Sequence, residues 1–390
     1  MREGWKLMQF GNLCELTRGH NPPKSKFINE PKKGYVRFYQ IRDGWSDDYK
    51  VYVPETPQLH TVLPDDMLMV AYRHIGKVFR GVTGAFNVAL CKISNKSIEI
   101  LDNDYLFYMI PSEIIRGELM KRSERSLIPS MSVVHLKSLQ IPIPPPEEQK
   151  LIVATLDKAF AAIDQAKANI EKNIENAKEL LDSYKLDLLS KYSESEFVSF
   201  DSVVKLSRGH NPPKKDFISE PKENYVRFYQ IRDGWSDDYK VYVPETPKLH
   251  LVEEDEILMV AYRHIGRAFR GVRGAFNVAL CKITNLDESI LNNDYLFELI
   301  PSPFIRGELL KISERSLIPS MSVKELAKLK VPLPKIDEQE RLVKLFDEIN
   351  TSSQNLINNY GRNLNNLEDL KKSILQKAFA GELTENAVAV

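Results

Sequence analysis

Tyr72-Arg73-His74 and, 190 residues on, Tyr262-Arg263-His264 put an aromatic ring beside an arginine and a histidine, just ahead of a glycine. Lys77 and Arg80 follow in the first copy, Arg267 and Arg270 in the second, with no acid between. Cations and an aromatic before a tight turn suit contact with phosphates along a nucleic-acid groove. A second set lies upstream: Arg18, His20, Asn21 and Lys24, returning as Arg208, His210, Asn211 and Lys214. Its Asn-Pro-Pro core forces an extended path and removes backbone donors, so the loop is stiff. Residues 18–42 hold seven Lys or Arg against one acid, Glu30, in a chain whose 54 basic and 54 acidic residues otherwise balance. An anion-binding surface on such a chain is local. Gln40 and Arg42, with Gln230 and Arg232, stand just before an Asp-Gly turn; glutamine pairs with adenine and arginine with guanine. Arg125 and Arg315 precede a Pro-Ser helix start, whose free amides suit a phosphate. Each set also has a plainer reading, as solvated loop, strand-end polar residues or a simple cap. Trp45 and Trp235 could pack or protrude, and packing in the core or at its rim is the preferred reading.

Catalysis by this chain finds little support. Asn21-Pro22-Pro23 resembles the Asn-Pro-Pro-aromatic motif of amino-methyltransferases, but Lys24 stands where the aromatic belongs. There is no Gly-x-Gly loop for a nucleoside cofactor and no Gly-Lys-Ser/Thr loop for ATP. Asp65-Asp66 and Asp255-Glu256 lack the following acid and lysine of a metal-dependent nuclease. Cys14, Cys91 and Cys281 form neither a disulfide framework nor metal spacing. No catalytic residue, metal or cofactor is therefore expected in the chain itself. With no apolar run near 18 residues, the chain reads as cytoplasmic, with no membrane partner.

The elements that must position these residues come in two matched sets at one fixed offset. Tyr35–Trp45 returns at Tyr225–Trp235, and Ser123–Ser132 at Ser313–Ser322. This is a duplicated globular unit followed each time by a long helix. In the first helix Val153, Leu156, Phe160, Ile163, Ile170, Ile174, Ala177, Leu181, Tyr184 and Leu188 step three and four residues apart, an apolar stripe with Lys167 out of place on its seam. The second has Val343, Phe346, Ile349, Leu356, Tyr360, Leu364, Leu367, Leu370 and Ile374, with Asn350 and Ser353 as weak points. At about 1.5 Å per residue the first helix runs roughly 65–70 Å, too long for one element of a compact core. The expected fold is α+β: two similar α/β domains over 1–146 and 193–336, a long helix over 147–192, and a second long helix with a carboxyl-terminal tail over 337–390, the helices pairing antiparallel with pseudo-two-fold symmetry. Within a domain, strands are expected at Trp5–Phe10, 35–42, Met67–Ala71, Val78–Arg80 and Ala85–Ile93. Helices are expected at Asn103–Ser112, Glu113–Arg122 and from Ser132 to Leu139.

This arrangement resembles the specificity subunit of type I restriction-modification systems. The resemblance is carried by the alternating domains and helices, the helix entries Pro145-Pro146-Glu147-Glu148-Gln149 and Lys335-Ile336-Asp337-Glu338-Gln339 behind proline-rich segments, and the closing Ser373–Leu383 stretch. It implies that each domain reads one half of a bipartite double-stranded DNA site, and that the helices set the spacing and dock methyltransferase subunits, two of them, with restriction subunits in the full complex. It also implies that S-adenosylmethionine and ATP with magnesium are bound by those partners, which carry the adenine-N6 methylation and ATP-dependent cleavage. Most members carry two dissimilar domains, whereas these two are near copies, which points to an inverted-repeat site. The competing readings are a coiled-coil scaffold for other proteins, or a nuclease acting alone.

Overall fold

The computed structural model describes residues 2–123, 131–313 and 322–383. Two compact units are present, one built from Met1–Ile170 together with Arg362–Val390, the other from Glu171–Gly361. In unit one the order is β1 (Lys6–Gln9), α1 (Phe10–Leu13), β2 (Cys14–Arg18), β3 (Tyr35–Tyr39), β4 (Tyr52–Pro54), β5 (Thr61–Val62), β6 (Met67–Val70), β7 (Val78–Arg80), β8 (Gly84–Phe86), β9 (Leu90–Asn95), α2 (Asn103–Met109), α3 (Glu118–Ser123), α4 (Val133–Ser138), β10 (Gln140–Ile143) and α5 (Pro146–Leu189).

β1 pairs antiparallel with β10, Lys6 opposite Ile143, so the strand that opens the head lies against the one that leaves it. A second, antiparallel sheet has the order β2-β9-β6-β7. A third has the order β4-β3-β8-β5, in which β3 and β8 run parallel. The single strand expected over Ala85–Ile93 is two strands in different sheets: Gly84–Phe86 joins β3, Leu90–Asn95 joins β2 and β6. The sequence hides the break because both pieces are buried, while Val88 between them is exposed. All four residues of β6 are buried, which puts it at the centre of the head. Asp102 caps α2 by accepting from the amides of Asp104 and Tyr105 at 2.8 and 2.9 Å. The helix expected over 113–122 opens instead as a π-helical turn, Glu113–Gly117, before α3.

Unit two repeats the plan: β11 (Phe197–Ser199), β12 (Val204–Arg208), β13 (Tyr225–Tyr229), β14 (Tyr242–Pro244), β15 (Leu251–Val252), β16 (Ile257–Val260), β17 (Ala268–Phe269), β18 (Gly274–Phe276), β19 (Leu280–Asn285), α6 (Asn293–Leu299), α7 (Pro303–Ser313), α8 (Val323–Ala327), β20 (Lys330–Pro332) and α9 (Ile336–Ala380). Its sheets keep the same orders. Pro303 replaces Glu113, and a proline at the first helical position starts α7 as a regular helix.

Both long helices form, over 44 and 45 residues, and each contributes one end to each unit. In unit one Ile152, Leu156, Phe160 and Ile163 of α5 share a core with Ala378 and Phe379 of α9. Lys167 pairs with Glu368 and Asp164 with Lys371, so rising numbers on α5 meet falling numbers on α9, an antiparallel run. The same sense holds in unit two, where Leu188 and Leu189 pack with Leu342 and Phe346, and Tyr192 reaches Glu338. Three seam expectations shift by one residue. Tyr184, Leu356 and Leu370 are exposed, while Lys185 is buried and Ile357 and Lys371 are half-buried. The stripe keeps strict three-four stepping through 346, 350, 353, 357, 360, 364, 367, 371 and 374, so polar residues take seam positions that nearby leucines do not. Lys185 and Asn350 both reach Glu298, at 2.8 and 3.1 Å, and that network fills the weak point of the stripe.

The entry glutamines have a clear task. Gln149 is wholly buried; its side-chain amide donates to the carbonyls of Ile100 and Pro144 at 2.7 and 2.8 Å and its oxygen accepts from the Asp102 amide at 2.8 Å. Gln339 repeats all three bonds with Ile290, Pro334 and Asn292. Each glutamine thus ties the first turn of a long helix to the cap of the helix that follows the sheet.

Candidate nucleic-acid interface

The Arg18–Lys24 loop is stitched to the segment where the chain crosses between sheets. The guanidinium of Arg18 donates to the carbonyls of Val88 and Met131, the His20 amide donates to Phe86, and the Asn21 side-chain oxygen accepts from the Val88 amide. His210 and Asn211 make the matching bonds with Phe276 and Val278. Contact is so close that a Cβ on Gly19 would lie 2.1 Å from the Asn87 carbonyl oxygen, and one on Gly209 2.2 Å from that of Phe276. Arg18 and Asn21 therefore hold the loop, which leaves the exposed His20 and Lys24, with His210 and Lys214, as its outward groups.

Gln40 and Arg42 sit on a 3-10 turn, Ile41–Gly44, that follows β3. Its anchor is Asp43, nearly buried, which accepts from the Gln40 amide and pairs with Arg37; Arg227 and Asp233 form the same pair at 2.5 Å. Arg42 turns away, its guanidinium over the Tyr49 ring at 5.4 Å and donating to the Tyr49 carbonyl. Arg232 does the same with Tyr239, and Gln230 matches Gln40. Arg37, one of the seven local cations, is thus committed to an internal pair.

The turn between β6 and β7 is where the predicted residues converge. It is closed by hydrogen bonds from Val70 to Lys77, Gly76 to Val70 and His74 to Tyr72. Arg73 at its tip has φ of 63°, as has Arg263, a left-handed conformation that a non-glycine residue adopts at a cost. Arg73 lies over the half-buried Tyr72 ring and Arg263 over Tyr262. Trp45, expected to pack, is 46% exposed, and Trp235 is 43% exposed. The Lys77 ammonium stands 4.2 Å from the centre of the Trp45 ring, and the His74 ring meets it edge-on at 5.6 Å. In unit two Arg267 and His264 hold Trp235 at 4.4 and 5.5 Å. A cation over an indole contributes about 0.5–1 kcal/mol at an exposed site, enough to favour this pose of the ring a few-fold. Each unit therefore presents a clamped, outward tryptophan among cations, a residue the sequence reading missed. Arg80 and Arg270 do not join it, because they pair with Asp104 and Asp294. Arg125 and Arg315 lie outside the described residues.

Nucleophilic chemistry finds no thiol here: burial pushes Cys14 up to about 12 and Cys91 and Cys281 up to about 11. Among the described residues no group of three His, Cys, Asp or Glu side chains is placed to hold a metal, and no helix is long and apolar enough to cross a membrane. Each unit thus carries the same arrangement at this turn, an exposed tryptophan beside a cation and a histidine.

The comparisons with known proteins agree. A family model for the type I restriction modification DNA specificity domain matches residues 2–176 and 192–364. The chain belongs to that family of DNA-specificity subunits. It is 23% identical to the MjaVIII specificity subunit of Methanocaldococcus jannaschii over 98% of this chain and 93% of that one. It is 23% identical to the EcoKI specificity subunit of Escherichia coli (strain K12) over 98% and 90%. Among solved structures, a chain from work on assembly and conformational transition of the type I R-M system superposes with a TM-score of 0.73 at 18% identity, covering 98% of this chain and 99% of that one. The HsdS subunit from Thermoanaerobacter tengcongensis gives 0.52 at 18% identity, with 98% of each chain covered.

Proposed function

We propose that this chain, the DNA-specificity subunit of a type I restriction-modification complex, reads a site made of two copies of one short sequence in inverted orientation, separated by bases that are not read. The observation that carries this is the pair of clamped tryptophans with their flanking Tyr-Arg-His turns, alike in both units except that the clamping cation is Lys77 in one and Arg267 in the other. The likeness of the two turns supports equal half-sites, and their inverted order is what the test below decides. In this reading His20, Lys24, Gln40, Tyr72, Arg73, His74 and Lys77, with their counterparts, face the DNA, while Arg18, Asn21 and Arg42 shape the surface. The long helices set the spacing and dock two methyltransferase subunits, and restriction subunits complete the complex. Adenine-N6 methylation and ATP-dependent cleavage, with S-adenosylmethionine, ATP and magnesium, belong to those partners, in the cytoplasm. Methylome sequencing of a host carrying the system tests the proposal: it expects one palindromic, interrupted methylated motif. Two unrelated half-sites, or a direct repeat, refute it.

A further inference from the structure

Resting on that reading, we infer that Glu298 is a positioning residue. It fixes how the head of unit two stands on its helix pair, and so the one spacer length between half-sites that the chain accepts. Glu298 stands near the end of α6, the helix that follows the sheets. The start of α6 is tied to α9 through Gln339, as α2 is tied to α5 through Gln149. At the other end the two units part. One oxygen of Glu298 accepts from Lys185 of α5 at 2.8 Å and from Asn350 of α9 at 3.1 Å, so a single side chain joins the head to both long helices. Lys185 is buried, its ammonium 5.3 Å from the centre of the Phe346 ring. Arg306 of α7 adds an ion pair with Asp182 of α5 at 2.8 Å.

Unit one is built differently at the matching places. Tyr108 stands for Glu298, Phe160 for Asn350 and Leu375 for Lys185. The Tyr108 ring meets Phe160 edge-on at 5.4 Å, and its hydroxyl donates to Asp157, on the same helix as Phe160. Arg116, the counterpart of Arg306, pairs with Glu113 of its own segment. Apolar contact is non-directional, whereas a buried lysine parted from its carboxylate is strongly penalised. Well-packed hydrophobic residues often replace a buried ion pair at no loss, so a seam built for stability alone would be apolar in both units. Unit two keeps the polar set, and three residues on the Ser353 hydroxyl is buried without a partner where unit one has Ile163. Such a set specifies one register of the head on its helices. Moving a half-site by one base pair shifts it about 3.4 Å along the duplex and turns it by roughly 35°. A head clamped at both ends of α6 cannot follow that move without parting Glu298 from Lys185.

The test assembles the full-length chain with its methyltransferase subunits and titrates three duplexes. One bears the methylated motif with its natural spacer; the others hold the same half-sites one base pair closer and one base pair farther apart. Glu298→Leu with Lys185→Met removes the pair together and leaves no buried charge alone. Its preference for the natural spacer over the better of the altered ones should fall by about tenfold, the weight of a hydrogen bond to a charged group, while the natural duplex binds as before. Tyr108→Phe, which removes the hydroxyl at the matching place in unit one, should leave the preference unchanged. An unchanged preference in the double variant, an equal weakening on all the duplexes, or an equal drop in Tyr108→Phe overturns the positioning role. A wild-type assembly that binds its motif at all the spacers alike overturns it too. Should the double variant melt early, Arg306→Gln alone decides, because its pair with Asp182 is exposed: a several-fold drop in preference supports the role and no drop overturns it. If the wild-type assembly binds the motif no better than random sequence, the DNA-reading function falls, and the positioning role with it.

Discussion

Replacing Gln149 with methionine keeps the length and volume of the side chain but removes every polar bond it makes. Two carbonyls, those of Ile100 and Pro144, lose a donor, and the Asp102 amide loses its acceptor, all around a residue with no exposed surface. A buried polar group left without a partner costs about 1–3 kcal/mol. With the partly buried Ile100 carbonyl and Asp102 amide discounted for access to water, Gln149→Met should cost unit one about 2–4 kcal/mol. That is a large share of the roughly 5–15 kcal/mol by which a domain is stable. At about 2–4 °C per kcal/mol for a unit of this size, its melting point should fall by around 10 °C. Scanning calorimetry on the full chain, with urea titration, reads the loss. Gln339→Met should reproduce it in unit two, where the three bonds are all 2.8 Å. Losses below about 1 kcal/mol in both variants would refute the argument, since they would mean that water reaches these groups.

Glu298→Leu should destabilise unit two by about 3 kcal/mol by leaving the buried Lys185 without its partner. Adding Lys185→Met should recover most of that loss in urea titration, and a double variant as weak as the single one would count against the pair. Gly19→Ala must push a Cβ away from the Asn87 carbonyl, only 2.1 Å off, and should cost more than about 2 kcal/mol; thermal melting that stays at the wild-type value would remove the close contact from the account. The three thiols should resist alkylation in the native chain at neutral pH and react on unfolding, as mass spectrometry would show. For Cys14 burial raises the folded value from 9.0 to about 12, so its contribution to stability is present below pH 9 and is lost as pH climbs through that window.

Long-range order was legible in the chain because it is periodic. The fixed offset of the two copies and the apolar stripes of the long helices leave periodic signatures, and both copies and both helices form. Features set by a single tertiary contact were not legible. Tyr184 and Lys185 are neighbours, and it is Glu298 and the Phe346 ring, each more than a hundred residues away, that draw the lysine inward. Leu356 and Leu370 satisfy the apolar pattern, but the seam passes one residue beyond each of them. Trp45 is the clearest case. Composition says that tryptophan packs, and its exposure follows from Lys77 and His74 arriving across a separate turn. At Arg18 and Asn21 the residue types were right for DNA, but the backbone of the crossing between sheets had the nearer claim on them.

The way unit one closes has a consequence for how the protein is made. Its core takes Ala378 and Phe379 from the last helix, with Phe379 edge-on to Tyr105, and Arg2 donates to the Gly381 carbonyl. Unit two is one uninterrupted stretch, Glu171–Gly361. On the ribosome, where domains settle as they emerge, the second unit has all its residues while the first still waits for the end of the chain. The part synthesised first is finished last, and a transcript cut short near its end leaves a sound second unit joined to an open first one.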